Sequence, residues 1–280
     1  MGTRDIDNKD SKDSKVFIIA ELSANHNGSL DTAIETLRAA RRAGADAIKL
    51  QTYTADTLTI DSDKSDFIIN AGSIWDGRTF YELYQSAFTP WEWHSELFKV
   101  AKREGLVCFS SPFDKTAVDF LEGFDVPAFK IASFEITDIP LIEYAASKGK
   151  PMIISTGIAS YDDIKLAVET CRKVGNNDIT ILKCTSSYPA PIEEANMIMM
   201  QQYAKDFKVK VGLSDHTFGN TVPVVATALG AKVIEKHFIL DKSVGGPDAS
   251  FSLDETEFTS LVKAVREAEK AMGKVDYSLT

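Results

Sequence analysis

The chain has 280 residues, 44% hydrophobic and 26% charged, a globular composition that excludes a disordered or fibrous protein. Its 31 lysines and arginines against 41 aspartates and glutamates give a net charge of −10, which argues against a broad nucleic-acid or anionic-membrane surface. No apolar run approaches the ~20 residues that span a bilayer, and three widely spaced cysteines, Cys108, Cys171 and Cys184, point to a reducing cytoplasm rather than to a disulfide framework or zinc cluster.

Residues 1–15 are polar and charged and read as a mobile lead-in to a domain over 16–280. From there, apolar and β-branched runs at 16–22, 47–50, 106–110, 128–131, 152–155, 179–183, 209–213 and 233–237 predict eight strands. Patterns of helical period lie between them at 30–43, 90–103, 139–147, 161–174, 222–229 and 254–272. Gly44, Gly105, Gly149, Gly175, Gly230 and Gly273 each follow a helical stretch, where the chain commonly turns through positive φ. Near-continuous apolar strands alternating with helices imply a parallel sheet buried on both faces. Eight such units match a closed (β/α)8 TIM barrel. The rival, an open doubly wound sheet, usually carries GxGxxG after its first strand, and that segment is lacking here. Residues 52–105 exceed what one helix needs and predict an insertion over the barrel mouth.

In such a barrel the strand ends build the active site, so the polar residues there carry the functional reading. Each run is apolar until its last turn and then becomes charged or hydroxylic. Burying so many polar groups in one rim is costly unless a ligand or metal pairs them. Lys49 and Lys130, flanked by Ser110, Ser133, Ser155 and Ser214, predict a site for a small, multiply charged anion. A lysine in that position also suits a Schiff base, which makes an aldolase the rival enzyme. Either Lys49 or Lys130 alone also suits a plain salt bridge to a glutamate of a neighbouring strand, and the same alternative stands for Lys236 and Glu235. His216 and His237 end neighbouring strands, as a divalent transition metal requires when water or a carboxylate completes its shell. Asp215 is a candidate to orient His216. Glu21, Gln51, Glu135 and Asp248 are candidates for acid–base work or sugar-hydroxyl recognition. Asp248 could also be a plain turn residue, and Tyr188 either covers a sugar face or shapes a turn with Pro189. His26 fits loop ordering, and His94 a helix surface or packing role.

Ile19-Ala20-Glu21, Asn25-His26-Asn27-Gly28, Lys49-Leu50-Gln51, Phe129-Lys130-Ile131-Ala132-Ser133, Gly212-Leu213-Ser214-Asp215-His216 and Ile234-Glu235-Lys236-His237-Phe238, with Gly246-Pro247-Asp248, together resemble the sialic acid synthase family over residues 16–273. Within it, Ile74-Trp75-Asp76-Gly77-Arg78, Leu182-Lys183-Cys184-Thr185-Ser186-Ser187-Tyr188-Pro189 and Gly245-Gly246-Pro247-Asp248-Ala249-Ser250-Phe251 are similar to the pseudaminic acid synthase branch. Members of the N-acetylneuraminate branch commonly have His where Lys183 stands and Asn where Ser186 stands.

The resemblance implies a (β/α)8 barrel that condenses phosphoenolpyruvate with an N-acetylated hexosamine, most closely 2,4-diacetamido-2,4,6-trideoxy-altropyranose. The product is a nine-carbon ulosonic acid, with phosphate released. The same chemistry would serve an N-acetylneuraminate or legionaminate synthase. By the same resemblance His216 and His237 hold Mn²⁺ or Mg²⁺, and Lys49, Ser110, Lys130, Ser133, Ser155, Ser186 and Ser214 bind phosphoenolpyruvate. Gln51, Glu135, Tyr188 and Asp248 hold the open-chain sugar, and Glu21 acts near the reacting carbons. A cytoplasmic homodimer is implied too. The family's small antifreeze-like domain has no counterpart before Thr280, so weaker sugar binding is expected of this chain alone.

Overall fold

The computed structural model describes residues 15–70, 72 and 75–278. The expected lead-in, 1–15, lies outside these but for Lys15. Eight parallel strands close a barrel in chain order: β1 (Phe17–Glu21), β2 (Ala47–Thr52), β3 (Val107–Pro112), β4 (Phe129–Ile131), β5 (Met152–Ser155), β6 (Ile179–Cys184), β7 (Lys210–Asp215) and β8 (Val233–His237), with β8 returning to β1. The chain is a (β/α)8 TIM barrel. Each strand is buried nearly throughout, as a sheet covered on both faces demands.

The helices among the described residues are α1 (Leu30–Arg42), α2 (Ala55–Leu58), α3 (Phe80–Ala87), α4 (His94–Glu104), α5 (Lys115–Glu122), α6 (Ile139–Ser147), α7 (Tyr161–Lys173), α8 (Ile198–Phe207), α9 (Thr221–Ala228) and α10 (Glu255–Met272). Local chemistry explains their limits. In α1 the Ser29 hydroxyl accepts from the Thr32 N–H at 3.2 Å, Asp31 sits in the first turn, and Arg41 and Arg42 sit in the last. Its buried stripe of Ala33, Leu37 and Ala40 faces the strands. Gly105, at φ 72°, turns the chain out of α4 toward β3. The helices α5 and α8 fall outside the sequence-read patterns, and neither ends on a left-handed glycine: Gly123 after α5 is right-handed, and Lys208 holds the left-handed position after α8.

The 52–105 segment holds α2, α3 and α4; between α2 and α3 the described residues include a 3-10 turn at Ser65–Phe67 and an antiparallel bridge of Ile68 with Thr79. Tyr53, just past β2, packs edge-on against Tyr84 of α3 at 6.0 Å and Phe113, just past β3, at 5.2 Å. The insertion is thereby anchored at the C-terminal strand ends. No helix among the described residues is long and apolar enough to cross a membrane.

Candidate active site

Four buried charges span the barrel lumen. Lys49 on β2 is ion-paired with Glu21 on β1 and lies 3.8 Å from Glu235 Oε2 on β8. Lys130 on β4 lies 3.6 Å from Glu235 Oε1. Because β4 and β8 stand on opposite sides of the barrel, that contact can be made only across the lumen. Two positive and two negative groups cancel, which makes their burial tolerable. Burial alone would lower the Lys49 ammonium, but Glu21 and Glu235 hold it above its ordinary value. Burial pushes the Glu21 carboxyl up to about 7 against the pull of Lys49. It pulls Glu235 the same way, yet Lys130 and Lys49 hold that carboxyl below the usual range. Lys130 is lowered by burial, Glu235 opposing.

Hydroxyls surround this string. Lys130 Nζ donates to Ser155 Oγ at 2.7 Å and to the Ile131 carbonyl at 3.1 Å, and Lys49 Nζ donates to Ser111 Oγ at 3.2 Å. Ser214 Oγ donates to Glu235 Oε1 at 3.0 Å. Ser133 Oγ accepts from the Gly157 N–H at 3.2 Å and donates to Cys184 Sγ at 3.3 Å. Ser186 Oγ is buried without a hydrogen-bond partner. A Cβ on Gly157 would stand 1.9 Å from Ser186 Oγ and 2.7 Å from Ser133 Oγ, so the backbone there makes a cradle that a side chain would fill.

The two imidazoles lie beside the charges, with ring centroids 5.3 Å apart. His216 Nδ1 donates to the Thr185 carbonyl at 2.9 Å, so Nε2 is the nitrogen left to face a ligand. His237 Nδ1 is buried without a hydrogen bond and lies 3.9 Å from Asp248 Oδ2. Burial, with His216 and the lysines nearby, keeps the His237 imidazole well below its ordinary range and therefore neutral. Two imidazoles at neighbouring strand ends fit a divalent transition metal, provided that water or substrate oxygens complete its shell. Among the described residues no group of three or more His, Cys, Asp or Glu side chains is arranged to hold an ion alone. The Tyr188 ring lies 4.3 Å from His216 and 6.3 Å from His237, half open to solvent. Gln51, next to last in β2, is in register with Ser111. Glu135 is half-buried, its Oε2 lacks a hydrogen bond, and burial raises its carboxyl. Burial also raises Asp248, which accepts from the Ala24 N–H at 3.3 Å.

The structure thus gathers Glu21, Lys49, Lys130, Ser155, Ser214, His216 and His237 at one end of the barrel, with Ser133, Ser186, Tyr188 and Asp248 at its edge. Ser110 is a correction. Its hydroxyl turns away from the lumen, 2.7 Å from Thr52 Oγ1, which in turn meets His94 Nε2 of α4 at 2.8 Å, and Ser111 takes the inward place instead. Asp215 does not orient His216. It pairs with Lys236 at 2.6 Å and accepts from Thr217, on the outward face of β7 and β8. Lys236 thus takes the salt-bridge alternative, with a carboxylate of the neighbouring strand, while Glu235 faces the lumen. His94 is a packing residue, and His26 orders its loop by accepting the Gly28 N–H at 3.1 Å. Ser111 and Cys184 are lumen residues with no role in the sequence reading, and Glu235 is one for which that reading held both a salt bridge and a site. Period-two spacing from His237 points to Glu235.

Comparison with known proteins adds to this geometry. A protein-family model described as the NeuB family matches residues 36–277. A pseudaminic acid synthase of Campylobacter jejuni is 55% identical over 261 residues, covering 93% of this chain and 76% of that protein. A pseudaminic acid synthase of Helicobacter pylori is 51% identical over 257 residues, covering 92% and 75%. The crystal structure of an N-acetylneuraminic acid synthetase from Leptospira borgpetersenii, in complex with citrate, superposes with a TM-score of 0.84 at 30% identity, covering 95% of this chain and 88% of that one.

Proposed function

The chain belongs to the NeuB family, and from that premise we propose that it condenses phosphoenolpyruvate with an open-chain N-acetylated amino sugar, giving a nine-carbon ulosonic acid and free phosphate. The sugar we favour is 2,4-diacetamido-2,4,6-trideoxy-altropyranose, whose product is pseudaminic acid, in keeping with the relatives named above. The observation that carries the reading is the lumen-crossing cluster: two buried ammonium groups, a ring of hydroxyls and two imidazoles at the same strand ends.

Lys49 and Lys130, with Ser111, Ser133, Ser155, Ser186 and Ser214, hold the phosphate and carboxylate of phosphoenolpyruvate. The Gly157 N–H and its open cradle let the anion approach the backbone. Gln51, Glu135, Tyr188 and Asp248 hold the sugar with its aldehyde carbon toward the enol carbon. When Mn²⁺ or Mg²⁺ is bound by His216 and His237, it supplies Lewis-acid polarisation of a carbonyl oxygen. The enol carbon attacks the aldehyde carbon, forming the new C–C bond and leaving oxocarbenium character at C2. Water adds there, and the tetrahedral intermediate loses phosphate by C–O cleavage. The two ammonium groups stabilise the charge that gathers on the departing phosphate. Glu21 or Glu135 takes the proton of the incoming water and returns one to the new alkoxide.

Phosphate release, measured against a panel of N-acetylated hexosamines with the product mass, tests the reading. Release with the altro-configured diacetamido sugar is expected. Preference for N-acetylmannosamine or a legionaminate precursor would keep the chemistry and replace the sugar. A chelator should stop release and Mn²⁺ should restore it. Borohydride trapping of pyruvate on a lysine, with indifference to the chelator, would replace the synthase by a Schiff-base aldolase. Sedimentation of the purified chain tests the homodimer.

A further inference from the structure

Residues 23–28, between β1 and α1, add nothing to the lysine–carboxylate string, yet they are bonded at several points to the loop that follows β8. Asn25 is buried, and its Nδ2 donates both to the Phe238 carbonyl at 2.9 Å and to Ser252 Oγ at 2.8 Å. Ser252 Oγ donates onward to the Asp248 carbonyl at 2.6 Å. The Ala24 N–H reaches the Asp248 carboxylate, and Asn27 Nδ2 donates to the Gly245 carbonyl at 3.0 Å. A Cβ on Gly246 would stand 2.4 Å from Asn27 Oδ1, so the Asn27 side chain lies close against the Gly246 backbone. Ser23, the first residue of the segment, is held at φ 47°, a left-handed conformation that L residues adopt only when their surroundings impose it.

One amide therefore ties together two points of the β8 loop. Phe238 directly follows His237, and Ser252 closes the turn that carries Asp248. Both bonds use the two hydrogens of a single NH₂ group, which a carboxylate of the same shape lacks. We infer that Asn25 is a positioning residue: through Ser252 and the loop backbone it sets where the Asp248 carboxylate stands beside His237, and so governs affinity for the sugar rather than for the anion. The inference rests on the reading that Asp248 holds the sugar. Asn25 makes no side-chain hydrogen bond to Lys49, Lys130 or the serines around them, so binding of phosphoenolpyruvate provides an internal control.

The test is steady-state kinetics on the full chain for Asn25→Asp, Ser252→Ala, Asp248→Ala and the Asn25→Asp/Asp248→Ala double variant, with both substrates varied. Asn25→Asp should raise the KM for the sugar about tenfold while moving the KM for phosphoenolpyruvate less than about twofold, and Ser252→Ala should move it the same way by less. The double variant should be no worse than Asp248→Ala alone, because both changes act on one group. Additive losses, an unchanged sugar KM, or equal loss for both substrates would overturn the positioning role. Should Asn25→Asp fail to fold, the same readout on Ser252→Ala decides. If Asp248→Ala itself leaves the sugar KM unaltered, the sugar-site assignment fails and the inference falls with it. A sugar KM that responds to Asp248→Ala and not to Asn25→Asp sinks the inference alone.

Discussion

At Gly157 the functional feature is a missing side chain. The Ser133 and Ser186 hydroxyls approach this residue so closely that a methyl group would occupy the space they share. Both hydroxyls are ends of side chains that can rotate away, so Gly157→Ala should still fold. It should nevertheless raise the KM for phosphoenolpyruvate by roughly tenfold or more, equivalent to about 1.4 kcal/mol of lost binding. Kinetics and a melting curve on the same sample check both halves of that expectation. His216 belongs to the same scale. Its ring stands at the rim, against Tyr188 and the Thr185 carbonyl, rather than in the apolar core. His216→Ala should abolish phosphate release with the circular dichroism spectrum unchanged; full turnover in that variant without added metal would refute its role. Residue types at this scale were legible in the sequence, but the direction each one faces was not. Ser110 and Ser111 are adjacent and chemically alike, and only the register of β3 against β2 sends one to the lumen and the other toward α4.

Strands decide that direction by alternation, and β8 shows the consequence. Glu235 and His237 face the lumen while Lys236, between them, faces outward and forms a buried pair with Asp215 of β7. The pair lies outside the catalytic lumen, so its contribution is to stability. Removing one partner leaves an uncompensated buried charge. Lys236→Met should therefore cost about 3–5 kcal/mol by denaturant titration, and Lys236→Met/Asp215→Leu should recover most of that loss. The helix limits follow local chemistry more directly. The Asp114 carboxylate accepts from the Thr116 and Ala117 N–H groups at the start of α5, immediately past β3. Asp114→Ala should cost about 1 kcal/mol, measured the same way. Caps and apolar stripes are local, so the sequence shows most helices directly. The helices α5 and α8 were hidden because neither is closed by a left-handed glycine.

For the whole molecule, the two ends of the barrel divide the work. The charges, imidazoles and insertion occupy the C-terminal strand ends, while α10, packed in the outer ring against α9 and α1, reaches the opposite end with its last turns. There Arg266 donates to the Val16 carbonyl at 2.7 Å and to Asp46 Oδ2 at 2.8 Å, joining the last helix to the entries of β1 and β2. Arg266→Ala should lower stability by about 1–3 kcal/mol and leave kcat/KM for both substrates unchanged, a pairing of results that denaturation and kinetics together can check. Eight apolar runs separated by helical patterns, each ending in polar residues, establish the barrel and the end at which chemistry belongs, because burial on both faces and the period of a helix are written in neighbouring residues. The meeting of Lys130 with Glu235 across the lumen is of another kind. So is the turning of Asp215 away from His216 to Lys236, and the hold of Asn25 on the loop of Asp248. These depend on how far each strand is shifted against the next when the sheet closes, and that shift is settled by packing between residues separated in sequence by 21 positions, as for Asp215 and Lys236, to 227, as for Asn25 and Ser252.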